Sequence, residues 1–150
     1  MAGNPGACFP ELLPVNHSEM QQEGKLIFMV DDDRVILNLL EYVFQGKNGY
    51  RVKSFPSGEE CLRNLHRKPD LVVLDYVLNE EDNTALNGMQ TLRKIVEIND
   101  RLPVIILSGK TDDKTRKEFL SSGAKEVLGK DDYFVDVLDK IIAAELNTND

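Results

Sequence analysis

From Lys25 onward the chain alternates five times between a short apolar run and a stretch with helical spacing. The runs fall at residues 26–30, 50–55, 70–75, 104–107 and 126–128. Those at 26–30, 71–74 and 104–107 are unbroken, and all are of strand length rather than helix length. Strands that are apolar on both sides need cover on both faces, which a parallel sheet between two layers of helices provides. The intervening stretches supply the helices. Residues 35–44 are apolar along one helical face, and Gly46 and Gly49 end them. Ser57 is a predicted N-cap for a helix running through Cys61 and Leu65, with Glu60 in the capping-box position. Residues 88–98 place Met89, Leu92, Ile95 and Val96 at spacings of three and four. Further helices are predicted over 112–122, closed by Gly123, and over 132–146, with Phe134, Leu138, Ile141 and Ile142 inward. The expected fold is α/β: a doubly wound, five-stranded parallel sheet with helices on both faces, formed by residues 25–146.

Residues 1–24 follow another pattern. They carry Pro5, Pro10, Pro14 and three glycines without sustained periodicity, and are read as a flexible N-terminal extension. The full 150 residues make one domain's worth of chain. A formal net charge of −8 argues against nucleic acid as a direct partner, because phosphate backbones demand clustered Lys and Arg. No apolar run approaches the roughly 18–20 residues of a membrane span, and no signal peptide is visible. Cys8 and Cys61 lie far apart, so a reducing, cytoplasmic setting is expected.

In open parallel sheets, sites form beyond the carboxyl ends of the strands. The first strand ends in Asp31-Asp32-Asp33, the third in Asp75, the fourth in Ser108-Gly109, and the fifth leads into Gly129-Lys130. Taken singly, each has an ordinary reading. Asp33 suits a helix N-cap, Asp75 a loop acid, Ser108 a turn and Lys130 a solvated surface. Together they bring carboxylates, a hydroxyl and an ammonium to one sheet edge. Clustered carboxylates repel one another unless a cation is shared, and an all-oxygen set suits Mg²⁺. An aspartate beside such an ion can attack a phosphoryl group, whose three charged oxygens the metal, a lysine and a hydroxyl can hold.

Four segments in order resemble the receiver domains of two-component response regulators. Residues 26–33 resemble their first strand and acid pair, and 68–75 the strand bearing the phosphorylated aspartate. Residues 102–109 resemble the strand of the switch hydroxyl, and 122–130 the strand carrying the lysine. The resemblance implies a flavodoxin-like receiver fold with Asp75 as phospho-acceptor. It also implies Mg²⁺ bound by Asp31, Asp32, Asp75 and the backbone carbonyl of Val77, with Ser108 as switch hydroxyl and Lys130 on the phosphoryl oxygens. The phosphoryl donor is then a histidine kinase or histidine phosphotransfer protein. Such a chain catalyses only its own phosphorylation and dephosphorylation. Because the last predicted helix ends close to Asp150, output is expected through protein contacts on the face between the fourth and fifth helices.

The chain also departs from the family pattern. Asn79 and Asp131 stand where prolines are usual, and Asn87-Gly88 replaces an acidic residue and glycine after a longer loop. Val127 takes the place of an aromatic that often couples to the switch hydroxyl. Val77 and Lys110 flank the expected approach of hydrolytic water and point to a slowly hydrolysed phosphoryl group. A competing reading is a phosphatase of the haloacid-dehalogenase type, with Asp31 as nucleophile and Asp33 as acid/base, but it leaves Asp75 unexplained. A degenerate receiver that only binds partners is the other alternative.

Overall fold

The computed structural model describes residues 24–78, 84–109 and 112–147. Five strands, β1 (Leu26–Val30), β2 (Arg51–Phe55), β3 (Leu71–Asp75), β4 (Val104–Ser108) and β5 (Glu126–Gly129), form one sheet. All neighbouring pairs are parallel, in the order β2-β1-β3-β4-β5. Among the described residues four α-helices connect them, α1 (Arg34–Phe44), α2 (Gly58–Arg63), α3 (Gly88–Ile98) and α4 (Asp113–Ser121), and α5 (Phe134–Asn147) follows β5. This is the expected flavodoxin-like doubly wound arrangement.

The three central strands are buried along their whole length, which is why their sequences are almost unbroken apolar runs. Alternate strand residues feed two cores. Leu26, Phe28, Val30, Val72, Leu74, Val104 and Ile106 pack with Cys61 of α2, Leu92 and Ile95 of α3, and Phe119 of α4. Ile27, Met29, Leu71, Val73, Ile105 and Leu107 pack on the other face with Leu37, Leu40 and Phe44 of α1 and Leu138, Ile142 and Leu146 of α5. Burial pushes the Cys61 thiol up to about 12, so it acts as an inert apolar side chain.

Local chemistry moves several helix ends from their predicted places. Ser57 Oγ accepts from the Glu60 N–H at 3.2 Å, as a cap should. The helix it starts ends at Arg63, short of the expected Leu65. Asn64 N–H bonds back to the Cys61 carbonyl, and its side-chain amide takes the Glu60 carbonyl. A 3-10 turn, Leu65–Arg67, follows, with Lys68 in the left-handed region at φ 59°. α5 starts at Phe134 rather than at 132, because Asp131 Oδ1 accepts from the Tyr133 N–H and closes a turn there. Asp112 is the cap of α4 rather than its first residue. The extension expected over 1–24 lies outside the described residues except for Gly24, whose carbonyl accepts from Arg51 Nε.

Candidate functional site

The strand register builds the site. The order of strands reverses about β1 and β3, opening a crevice at their carboxyl ends. Val30 pairs with Leu74, so Asp31 and Asp75 emerge side by side as the next residues of adjacent strands. Asp75 pairs with Leu107, which precedes Ser108, and Ser108 pairs with Gly129, which precedes Lys130. The Lys130 N–H donates to the Ser108 carbonyl at 2.8 Å and fixes the start of its loop. Four strands thus deliver the predicted residues to one row.

Their side chains converge. Lys130 Nζ lies 2.8 Å from Asp75 Oδ1 and 3.2 Å from Asp31 Oδ2. Both carboxylates are almost fully buried, Asp31 at 2% and Asp75 at 1% exposure, and Ser108 is buried beside them. Asp31 Oδ1 accepts from the Asp33 N–H, which orients its carboxylate. Asp32 is exposed at the rim. One carboxylate oxygen from each of Asp31, Asp32 and Asp75 lies within 4.8 Å of the others. Asp33 turns away: its Oδ1 accepts from the Val35 N–H and caps α1. It belongs to the helix rather than to the cluster, as an N-cap reading requires.

The electrostatics are unbalanced. Among the described residues, the Lys130 ammonium is paired with both Asp31 and Asp75. Burial pushes the Asp31 carboxyl up to about 6; the Asp33 N–H opposes this, the Asp75 charge adds to it, and Lys130 opposes it again. Burial works against the charged form of Lys130, but the hydrogen bond and charge of Asp75, joined by Asp31, hold its pKa above the usual lysine value. Asp75 Oδ2 is buried without a hydrogen-bond partner among the described residues. A buried carboxylate oxygen with no donor is costly, and a cation is what such an oxygen lacks. The donor set is all oxygen and the local charge is negative, so the residues fit a hard divalent ion such as Mg²⁺.

A sequence model of the response regulator receiver domain matches residues 27–142. The chain belongs to the response regulator receiver family. It is 31% identical over 108 residues to the alkaline phosphatase synthesis transcriptional regulatory protein PhoP of Bacillus subtilis, covering 71% of this chain and 42% of that protein. It is 34% identical over 110 residues to the transcriptional regulatory protein AfsQ1 of Streptomyces coelicolor, covering 73% and 43%. The receiver therefore spans about two fifths of the length of these relatives. Among solved structures, the BeF3-activated DrrB receiver domain superposes with a TM-score of 0.71 at 27% identity, covering 83% of this chain and 98% of that one. A CheY-like receiver protein from Methanospirillum hungatei shares the fold at a TM-score of 0.70 and 23% identity, covering 82% and 94%.

The receiver's remaining predicted residues divide. Val77 sits in the turn after β3, 39% exposed. Lys110 and Asn79 lie outside the described residues. Asn87 and Gly88, read from sequence as a family departure, have a visible task. Asn87 caps α3 in a reciprocal box with Gln90. Gly88 lies so close to the site that a Cβ there would stand 2.7 Å from the carbonyl oxygens of Asp75 and Tyr76. Glu59 of α2 accepts from the Leu86 N–H and anchors the end of the long loop. No helix among the described residues is long and apolar enough to cross a membrane.

Proposed function

We propose that this receiver takes a phosphoryl group on Asp75 from a phosphohistidine of a histidine kinase or histidine phosphotransfer protein. The observation that carries this reading is Asp75 itself. One oxygen is held by Lys130, and the other is buried, without a donor among the described residues, beside acids that suit a divalent ion. Asp31, Asp32, Asp75 and the Val77 carbonyl would hold Mg²⁺, which when bound neutralises charge on the transferring phosphoryl oxygens.

Asp75 attacks phosphorus through a carboxylate oxygen as the bond from phosphorus to the donor's imidazole nitrogen breaks. That nitrogen keeps the bonding pair and is left as neutral imidazole once protonation is balanced with solvent. The product is an acyl phosphate on Asp75. Lys130 already lies within reach of Asp75 and pairs with a phosphoryl oxygen as the carboxylate loses its charge. Ser108 donates its hydroxyl to another. The chemistry is confined to the domain's own phosphorylation and dephosphorylation, and output passes through the face between α4 and α5 to a protein target. The haloacid-dehalogenase alternative needs Asp33 as acid/base, whereas Asp33 is engaged as the cap of α1.

A Mg²⁺ titration followed by amide shifts tests the assignment. The expected result is one weak site, with shifts centred on Asp31, Asp32 and Asp75 and lost in Asp32→Ala. Undiminished binding in that variant would remove Asp32 from the metal shell.

A further inference from the structure

Residues 63–68, Arg-Asn-Leu-His-Arg-Lys, form an electropositive corner on an acidic molecule. The chain has a formal net charge of −8, yet this stretch holds Arg63, Arg67 and Lys68 beside His66, and no acid. It ends α2 and makes the 3-10 turn Leu65–Arg67 that follows. Leu65 packs against the core, whereas Arg63, His66, Arg67 and Lys68 are all exposed. Lys53 on β2 is exposed too. It lies on the sheet face that α2 covers, since Phe55, two residues on, packs in the same core as Cys61 of α2. Among the described residues, Lys47, Arg116, Lys125 and Lys130 are in ion pairs, and Arg63, Arg67 and Lys68 are in none. Arg67 Nε donates to Asn64 Oδ1 at 3.0 Å, which steadies the guanidinium without neutralising it. Arg63 has an ordinary explanation as a cation in the last turn of a helix. Lys68 does not. Its φ of 59° and ψ of 62° lie in the left-handed region, which glycine fills at no steric cost. A lysine there carries backbone strain, and its charge is what the position gains.

We propose that this corner docks a short acidic segment of a protein partner. Charge complementarity selects both the occupant and its size. A long polyanion, such as duplex DNA or an anionic membrane, meets the field of the whole molecule, which is negative. A segment of a few Asp or Glu residues spans about one Debye length, roughly 10 Å at 0.1 M salt, and meets the local cations instead. The guanidinium forks of Arg63 and Arg67 suit carboxylates, and Lys68 adds a point charge. The corner stands at the amino end of β3, whereas Asp75 is at the carboxyl end of that strand. α2 packs on β1 and β2, and α4 packs on β5. The docking surface is therefore separate from the phosphoryl site and from the proposed output face between α4 and α5.

The test follows amide shifts of the whole chain as oligoglutamate is added at low salt, in wild type, Arg67→Gln and Lys68→Gly. In wild type the shifts should centre on residues 63–68 and Lys53 and fade as salt is added. Each substitution should raise Kd by about 2–5-fold, the range of an exposed ion pair. Lys68→Gly should do so with a urea midpoint equal to or above that of wild type, because glycine relieves the turn. That combination separates lost docking from lost folding. Shifts centred elsewhere, or undiminished binding in both variants, overturn the proposal. Phosphatidylserine vesicles or duplex DNA that bind the same residues as tightly as oligoglutamate overturn the acidic segment as the occupant.

Discussion

Asp31 is almost wholly buried, and that burial pushes its carboxyl up to about 6 from an ordinary 3.8. The sign of its contribution follows from linkage. Between these two values the folded chain binds more protons at this residue than the unfolded chain does, so stability falls as pH rises through the window. Above it the ionised carboxylate is a standing cost in the metal-free domain, on the order of 1–3 kcal/mol for a shift of this size. Asp31→Asn should therefore stabilise the metal-free receiver at pH 7 by about that amount. The gain should shrink as pH falls from 6 toward 4, and saturating Mg²⁺ should abolish or reverse it, because the ion binds the folded carboxylates. Urea denaturation at several pH values checks this. A variant less stable than wild type at pH 7 without metal would mean that Lys130 and the Asp33 N–H already compensate the buried charge.

At the scale of elements, the start of α3 bears directly on the site. A methyl group on residue 88 would press on the carbonyls of Asp75 and Tyr76, which are backbone and cannot rotate away. Gly88→Ala should destabilise the domain by about 1–3 kcal/mol, the usual range for overpacking, and slow phosphorylation by displacing the Asp75 peptide. Gly109, next to Ser108, has open space where its Cβ would be. Gly109→Ala should change stability by less than about 0.5 kcal/mol, as surface substitutions do. Equal effects in the two variants, read from urea midpoints, would contradict the close approach at Gly88. Sequence alone separates these glycines poorly. Periodicity placed α3 with its true bounds, and Asn87-Gly88 stood out only as a departure from a family pattern. That Gly88 abuts the acceptor is a distance between elements, which hydrophobic spacing does not carry. The helix ends that moved, at Arg63 and Phe134, were set by side-chain bonds of Asn64 and Asp131 that compete locally with the helix.

For the whole molecule, the fold was legible because its three central strands are buried on both faces and so spell themselves as nearly unbroken apolar runs leading to Asp31, Asp75 and Ser108. Parallel order then does the rest. With β1, β3, β4 and β5 adjacent and in register, residues 99 apart in sequence, Asp31 and Lys130, come within 3.2 Å. The same topology puts Asp31, Asp75, Ser108 and Lys130 at one end of the sheet. Asp75 is the proposed phosphoryl acceptor at that end. Incubation of the full chain with acetyl phosphate and Mg²⁺, followed by intact mass and peptide mapping, addresses this directly. One phosphoryl group per chain, on the peptide containing Asp75 and absent in Asp75→Asn, is the predicted result. A phosphoryl group mapped to Asp31, or no stoichiometric labelling at all, would contradict it.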